Sequence, residues 1–78
     1  MHYVYILRLS NNTYYVGLTK NLEQRIKKHN EGGVPSTAKY GPQQLVWYSV
    51  FTNKEKAIAF EKYLKTASGK AFRNKRFL

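Results

Sequence analysis

The chain opens on consecutive apolar positions: His2-Tyr3-Val4-Tyr5-Ile6-Leu7-Arg8-Leu9 is rich in aromatic and β-branched residues and does not alternate with polar ones. A strand of that kind is covered on both faces, so residues 2 to 9 predict a central strand. Ser10-Asn11-Asn12 interrupts the pattern, and asparagine tolerates left-handed backbone, which suits a tight turn into a second strand over 13 to 19. An antiparallel hairpin follows. Asn21 with Gln24 has the spacing of a capping box, and Leu22, Ile26 and His29 recur at helical spacing until Gly32-Gly33, predicting a helix over 22 to 31.

The stretch from 33 to 42 carries both prolines and reads as a mobile loop. Gln44 to Thr52 predicts a third strand with Trp47 as a core anchor. Thr52 and Glu55 have the spacing of a second capping box, and Ala57, Phe60, Leu64 and Ala67 form the apolar stripe of the following helix. That helix is expected to fray near Ser68-Gly69. A basic tail helix, 70 to 78, would then fold back through Phe72 and Leu78. The expected architecture is α+β, a single domain over residues 1 to 78.

Composition narrows the function. Fourteen Lys and Arg stand against four acids, all Glu, for a formal net charge of +10 and a pI near 10.0. Such a charge is the footprint of a protein that binds phosphate backbones, although it speaks to association and not to chemistry. A merely basic or ribosome-associated protein would share it. The chain has no cysteine, which excludes disulfide scaffolds, zinc knuckles and thiol catalysis. No apolar run approaches the roughly 20 residues of a membrane helix, and the N-terminus lacks a signal-peptide pattern. A soluble, unprocessed, cytoplasmic protein is expected.

The candidate chemistry sits in few residues. Tyr5 and Tyr15 lie on adjacent strands of the hairpin, and Gly17 leaves room there for the close approach of a ligand or of backbone. Arg25 and His29, four residues apart, share the helix face that carries Leu22 and Ile26. A guanidinium presents a planar fork suited to phosphate, whereas a histidine near an apolar face is more often structural. Glu61 falls between Ala57 and Leu64 on the apolar side of its helix, while Glu23, Glu31 and Glu55 lie at helix ends. It reads either as a ligand for Mg²⁺ or Mn²⁺ or as a boundary carboxylate paired with Arg25 or a lysine. Tyr14, Tyr48 and Tyr63 read as core or as stacking surface. No paired carboxylates, Ser-His-Asp arrangement, glycine-rich phosphate loop or zinc-spaced histidine pair is present.

In order along the chain, Tyr3-Val4-Tyr5, Tyr15-Val16-Gly17, the segment Thr19 to Arg25, His29, and Glu61 within Ala59 to Lys65 resemble the motifs of the GIY-YIG nuclease family. The small stand-alone members, similar to the N-terminal incision domain of bacterial excision-repair endonucleases, are the nearest in kind. Tyr3 stands where the family has the first Gly of its triplet. Leu18 stands where repair members carry a lysine, and Asn74 aligns loosely with a C-terminal asparagine of longer members. The resemblance implies a three-stranded antiparallel sheet flanked by helices and a metal-dependent endonuclease that hydrolyses DNA. Glu61 would hold one divalent metal that stabilises the leaving 3′ oxygen, and Arg25 would clamp the scissile phosphate. Tyr5 would orient or deprotonate the attacking water, with Tyr15 and His29 completing the hydrogen-bond shell.

The resemblance also implies a DNA-repair setting, a duplex, branched or damaged DNA substrate, and a protein partner supplying target choice. The competing reading is a nucleic-acid-binding module of the same fold that cuts little or not at all. Retention of Tyr5, Tyr15, Arg25 and Glu61 favours the enzyme, because a pure binder has no use for a carboxylate near phosphate.

Overall fold

The computed structural model describes residues 1–35, 37–40 and 43–76. Three antiparallel strands, β1 (His2–Arg8), β2 (Tyr14–Thr19) and β3 (Gln44–Phe51), form one sheet in the order β2-β1-β3. Among the described residues three α-helices accompany them: α1 (Leu22–Asn30), α2 (Lys54–Leu64) and α3 (Ala67–Arg76). The fold is α+β, as the sequence pattern predicts.

The unbroken apolar run places β1 at the centre of the sheet. Val4 and Ile6 join Val16, Ala57 and Leu64 in a core on one face, against α2. Tyr5, Leu7 and Leu9 build a second core on the other face, closed by Leu22 and Ile26 of α1. Burying both faces removes apolar area from water twice along one strand, which offsets the small size of the chain. A register shift between Ile6 and Leu7 leaves Val46 unpaired in β3. That bulge brings Val46 and Trp47 to the same core, where Trp47 packs against Phe60 with ring centroids 5.8 Å apart. Trp47 is half-buried, an anchor at the margin of the core.

The turns follow local chemistry. Asn12 takes the left-handed conformation with φ of 64°, and the Asn11 side-chain oxygen accepts from the Thr13 backbone and hydroxyl. At α1 the Asn21 side chain accepts from Gln24 N–H at 3.1 Å, as expected. The Asn21 N–H is taken by Thr19 Oγ1, so the threonine, and not Gln24, completes that cap.

Four sequence expectations are corrected. The cap of α2 is Asn53, not Thr52: the strand continues through Phe51, and Asn53 Oδ1 accepts from Lys56 N–H at 3.0 Å. The break after α2 comes at Lys65-Thr66, ahead of Ser68-Gly69. Thr66 Oγ1 accepts from Gly69 N–H at 3.0 Å and caps α3, so Ser68-Gly69 opens a helix and does not end one. A Cβ on Gly69 would lie 1.7 Å from the Tyr63 carbonyl oxygen, which is why the two helices join so closely only with glycine there. Ala67 therefore starts α3, exposed, and does not extend the α2 stripe. Third, the segment expected as loop contains a short 3-10 helix, Ala38–Tyr40, and buries Val34 and Thr37. Last, the tail helix begins at Ala67 and packs through Phe72 on the α2 side; the fold-back through Leu78 lies outside the described residues. Among the described residues no helix is long and apolar enough to cross a membrane.

Candidate active site

The hairpin and α1 bring four of the five candidate residues together. β1 pairs Tyr5 with Gly17 and Leu7 with Tyr15, which places the two tyrosines diagonally on the α1 face, ring centroids 6.2 Å apart. One turn of α1 separates Arg25 from His29, and both reach that face. Arg25 Nε donates to Tyr5 Oη at 3.3 Å, and Tyr5 Oη lies 2.7 Å from His29 Nε2. The Tyr15 ring stacks edge-on against His29 at 5.0 Å.

The far side of the imidazole sets its tautomer. His29 Nδ1 lies 2.7 Å from Thr37 Oγ1, whose own proton goes to the Val34 carbonyl. Nδ1 therefore carries the proton and donates, leaving Nε2 to accept from Tyr5. The result is one directed chain: Arg25 to Tyr5, Tyr5 to His29, His29 to Thr37, Thr37 to Val34. Sequence reasoning missed Thr37. A threonine in a proline-flanked loop gives no periodic signal, and only its burial beside His29 marks it.

Burial governs the protonation of the chain. Tyr5 is fully buried, and its phenol is pushed up to about 12 by burial, which outweighs the hydrogen bond from Arg25. His29, 1% exposed, is pushed down to about 4 by burial, with the Arg25 charge adding. The Tyr5 hydrogen bond holds Arg25 above its ordinary value, despite partial burial. At neutral pH the set is thus phenol, neutral imidazole and guanidinium. Tyr5 was expected to orient or deprotonate the attacking water; it is closed off from solvent, less acidic than a free phenol, and already bonded to His29.

Gly17 has a related meaning. A Cβ there would lie 2.3 Å from the Tyr5 Cζ and Oη atoms, so the space that glycine leaves is filled by the Tyr5 phenol and not by a ligand or backbone. Gly17→Ala is expected to displace Tyr5 from His29 and to lower stability by about 1–3 kcal/mol, the usual range for overpacking. Chemical denaturation, with loss of the shifted Tyr5 hydroxyl or His29 imidazole resonances, checks this.

His29 also sets a pH dependence. Its folded value of about 4 lies below the ordinary 6.5, so the unfolded chain binds the extra proton first as pH falls. The stabilisation is complete above pH 6.5 and is lost between pH 6.5 and 4, a change on the order of 3 kcal/mol at its limit. Denaturation midpoints measured across that window should fall steeply in the wild type and more shallowly in His29→Asn.

Glu61 stands apart from these four. It is half-buried on α2, the helix that packs on the other face of the sheet, and pairs at 3.4 Å with Lys65, which lines a cleft at the β2 edge together with Tyr15. Of the two partners expected if it were a boundary carboxylate, the structure shows a lysine; Arg25 is turned to Tyr5. Among the described residues no group of three or more His, Cys, Asp or Glu is placed to hold a metal. Glu61 offers a single carboxylate whose surroundings already accept a cationic group, the Lys65 ammonium. That donor set fits a divalent ion which keeps most of its waters and is completed by substrate phosphate.

Arg25 lines an open cleft of about 200 Å³ with Thr19, Asn21, Gln24 and Lys28. A larger groove on the α1 face, about 550 Å³, is bordered by Tyr3, Lys20, Leu22, Ile26, Leu45 and Tyr48 and contains none of the five candidates. The Arg25 guanidinium opens onto the smaller cleft and not onto the larger groove. Asn74 is exposed on α3, and Tyr48 and Tyr63 are also exposed.

The family is decided by comparison with known proteins. A sequence model described as the GIY-YIG catalytic domain matches residues 1–76. The chain belongs to the GIY-YIG family. Among its relatives, UPF0213 protein CPE1444 of Clostridium perfringens is 47% identical over 66 residues, covering 83% of this chain and 71% of the relative. UPF0213 protein YazA of Bacillus subtilis is 33% identical over 70 residues, covering 88% and 71%. The solution structure of UPF0213 protein BH0048 from Bacillus halodurans superposes with a TM-score of 0.60 at 38% identity, covering 94% of this chain and 79% of that one. The GIY-YIG family is a nuclease family whose substrates are nucleic acids and whose members typically use divalent metals. In this GIY-YIG chain Tyr5 and Tyr15 come from the two motif strands; the directed chain ending on Val34 holds Tyr5, and Tyr15 packs its ring against Tyr5 and His29.

Proposed function

We propose that this chain is a single-domain endonuclease that hydrolyses phosphodiester bonds in DNA with the help of Mg²⁺ or Mn²⁺. The observation that supports this reading is the convergence of Arg25, Tyr5, Tyr15 and His29 beside an open cleft, with every buried polar atom of Tyr5 and His29 given a partner. A protein that only bound DNA would have no need to aim one guanidinium through a buried phenol and a neutral imidazole.

The roles divide by exposure. Arg25 binds the scissile phosphate and neutralises the negative charge that grows on it during attack. Tyr15, half-buried and next to Arg25, accepts a hydrogen bond from the attacking water and orients it. Tyr5 and His29 are positioning residues: they fix the guanidinium in one rotamer and exclude water behind it. Glu61 would hold the divalent ion, whose contribution is Lewis-acid stabilisation of the leaving 3′ oxygen. The many lysines supply sequence-independent attraction to the backbone, and target choice would come from a protein partner.

Cleavage of nicked, branched and plain duplex DNA, each with Mg²⁺ and with EDTA, tests the reading. Metal-dependent cleavage of at least one substrate is expected. Binding without cleavage of any of them would instead favour a nucleic-acid-binding module.

A further inference from the structure

A second basic cleft, about 290 Å³, opens at the exposed edge of β2, lined by Tyr14, Tyr15, Val16, Lys65, Lys70 and Arg73. Arg73 is the unusual member. It is 8% exposed, its Nε is fully buried with no hydrogen-bond partner among the described residues, and its guanidinium carbon sits 6.0 Å from the centre of the Tyr14 ring. Burial holds its pKa below the ordinary arginine value. A buried charged donor with no acceptor is destabilising, and such groups in folded proteins call for an explanation.

From this geometry we propose that Arg73 and Lys70 form a phosphate subsite that receives a second backbone phosphate of the DNA strand bound at Arg25. The proposal rests on the nuclease reading and extends it. Three observations carry it: the cleft lies on the same strand edge as Tyr15, three cationic side chains line it, and no acid is among its described lining residues. Lys65 is turned to Glu61, while Lys70 is exposed and adds a positive charge at the mouth. An oxyanion entering there gives the Arg73 guanidinium a counter-charge, with the Tyr14 face behind it. A diester phosphate fits better than a carboxylate side chain, because Tyr15, which the proposed reaction uses, also lines this cleft. The subsite fixes which way the strand crosses the β2 edge, toward α3.

Nitrogen-15 NMR reads the Arg73 Nε–H directly and needs no catalysis. A short single-stranded oligonucleotide, titrated into the full chain in EDTA, should shift the Arg73 Nε–H and the Lys70 amide together with the Arg25 Nε–H. Duplex affinity measured against salt supplies the second readout. Each phosphate contact contributes about 0.9 to the slope of log K on log salt, so Lys70→Gln and Arg73→Gln should each lower that slope by about 1, and Lys54→Gln should not. Lys70 is exposed, so its variant remains informative even where Arg73→Gln unfolds.

An oligonucleotide that shifts Arg25 while leaving Arg73 and Lys70 unmoved would overturn the subsite and leave the nuclease reading intact. Shifts at neither arginine would remove both. Equal slope losses in Lys70→Gln and Lys54→Gln would show diffuse attraction and overturn the subsite as well.

Discussion

Arg25→Ala should lower the rate of cleavage of bound DNA by about 10²–10³ while changing the dissociation constant little. In the proposed reaction the guanidinium faces charge that increases between ground state and transition state, whereas thirteen other Lys and Arg supply attraction that is nearly the same in both. Removing one of fourteen cations costs little ground-state binding. Removing the one held in place by Tyr5 costs the differential term. The variant should also fold, since Arg25 is only half-buried and its loss leaves Tyr5 still bonded to His29. Single-turnover rates at saturating protein, set beside binding isotherms, check both halves. Tyr5→Phe behaves differently: it leaves the buried His29 Nε2 without a donor, so its loss of activity comes with a stability loss of about 1–3 kcal/mol.

Glu61→Gln is expected to bring metal-supported cleavage down by at least about 10², with the fold retained. The ion pair it removes is an i,i+4 pair with a lysine that is half exposed, worth only about 0.3–0.5 kcal/mol. Mn²⁺ line broadening of amides around Glu61 should appear in the wild type and be absent from the variant, which separates loss of the metal from loss of the fold. Broadening that persists unchanged in Glu61→Gln would place the metal elsewhere.

The sequence carried the sheet because its signals were local or strictly periodic. The unbroken run from Tyr3 to Leu7 could only be a strand with two buried faces, and Asn12 marked its turn. The pairing of Tyr5, Tyr15, Arg25 and His29 was legible because a hairpin register and a four-residue helical spacing both follow from short stretches of chain. What was hidden depended on contacts between distant segments. Thr37 matters only because a loop folds under α1, and no periodicity reports that. The role of Gly17 reversed once Tyr5 was seen to fill its space, and Gly69 looked like a helix stop because its contact with Tyr63 is tertiary. The burial of Tyr5, which closes it off from solvent, could not be read from residue type. Arg73 was one basic residue among fourteen until its Nε was found without a partner.

The central claim is that these residues break a phosphodiester bond and do not merely hold DNA. The direct test is a metal jump on a preformed complex: labelled DNA saturated with protein in chelator, then excess Mg²⁺, with the reaction quenched over time. The account predicts a single-turnover burst giving 5′-phosphate and 3′-hydroxyl ends, present in the wild type and suppressed in Arg25→Ala. DNA that stays intact while the complex persists through the Mg²⁺ addition, or a burst of the same rate in Arg25→Ala, would contradict it.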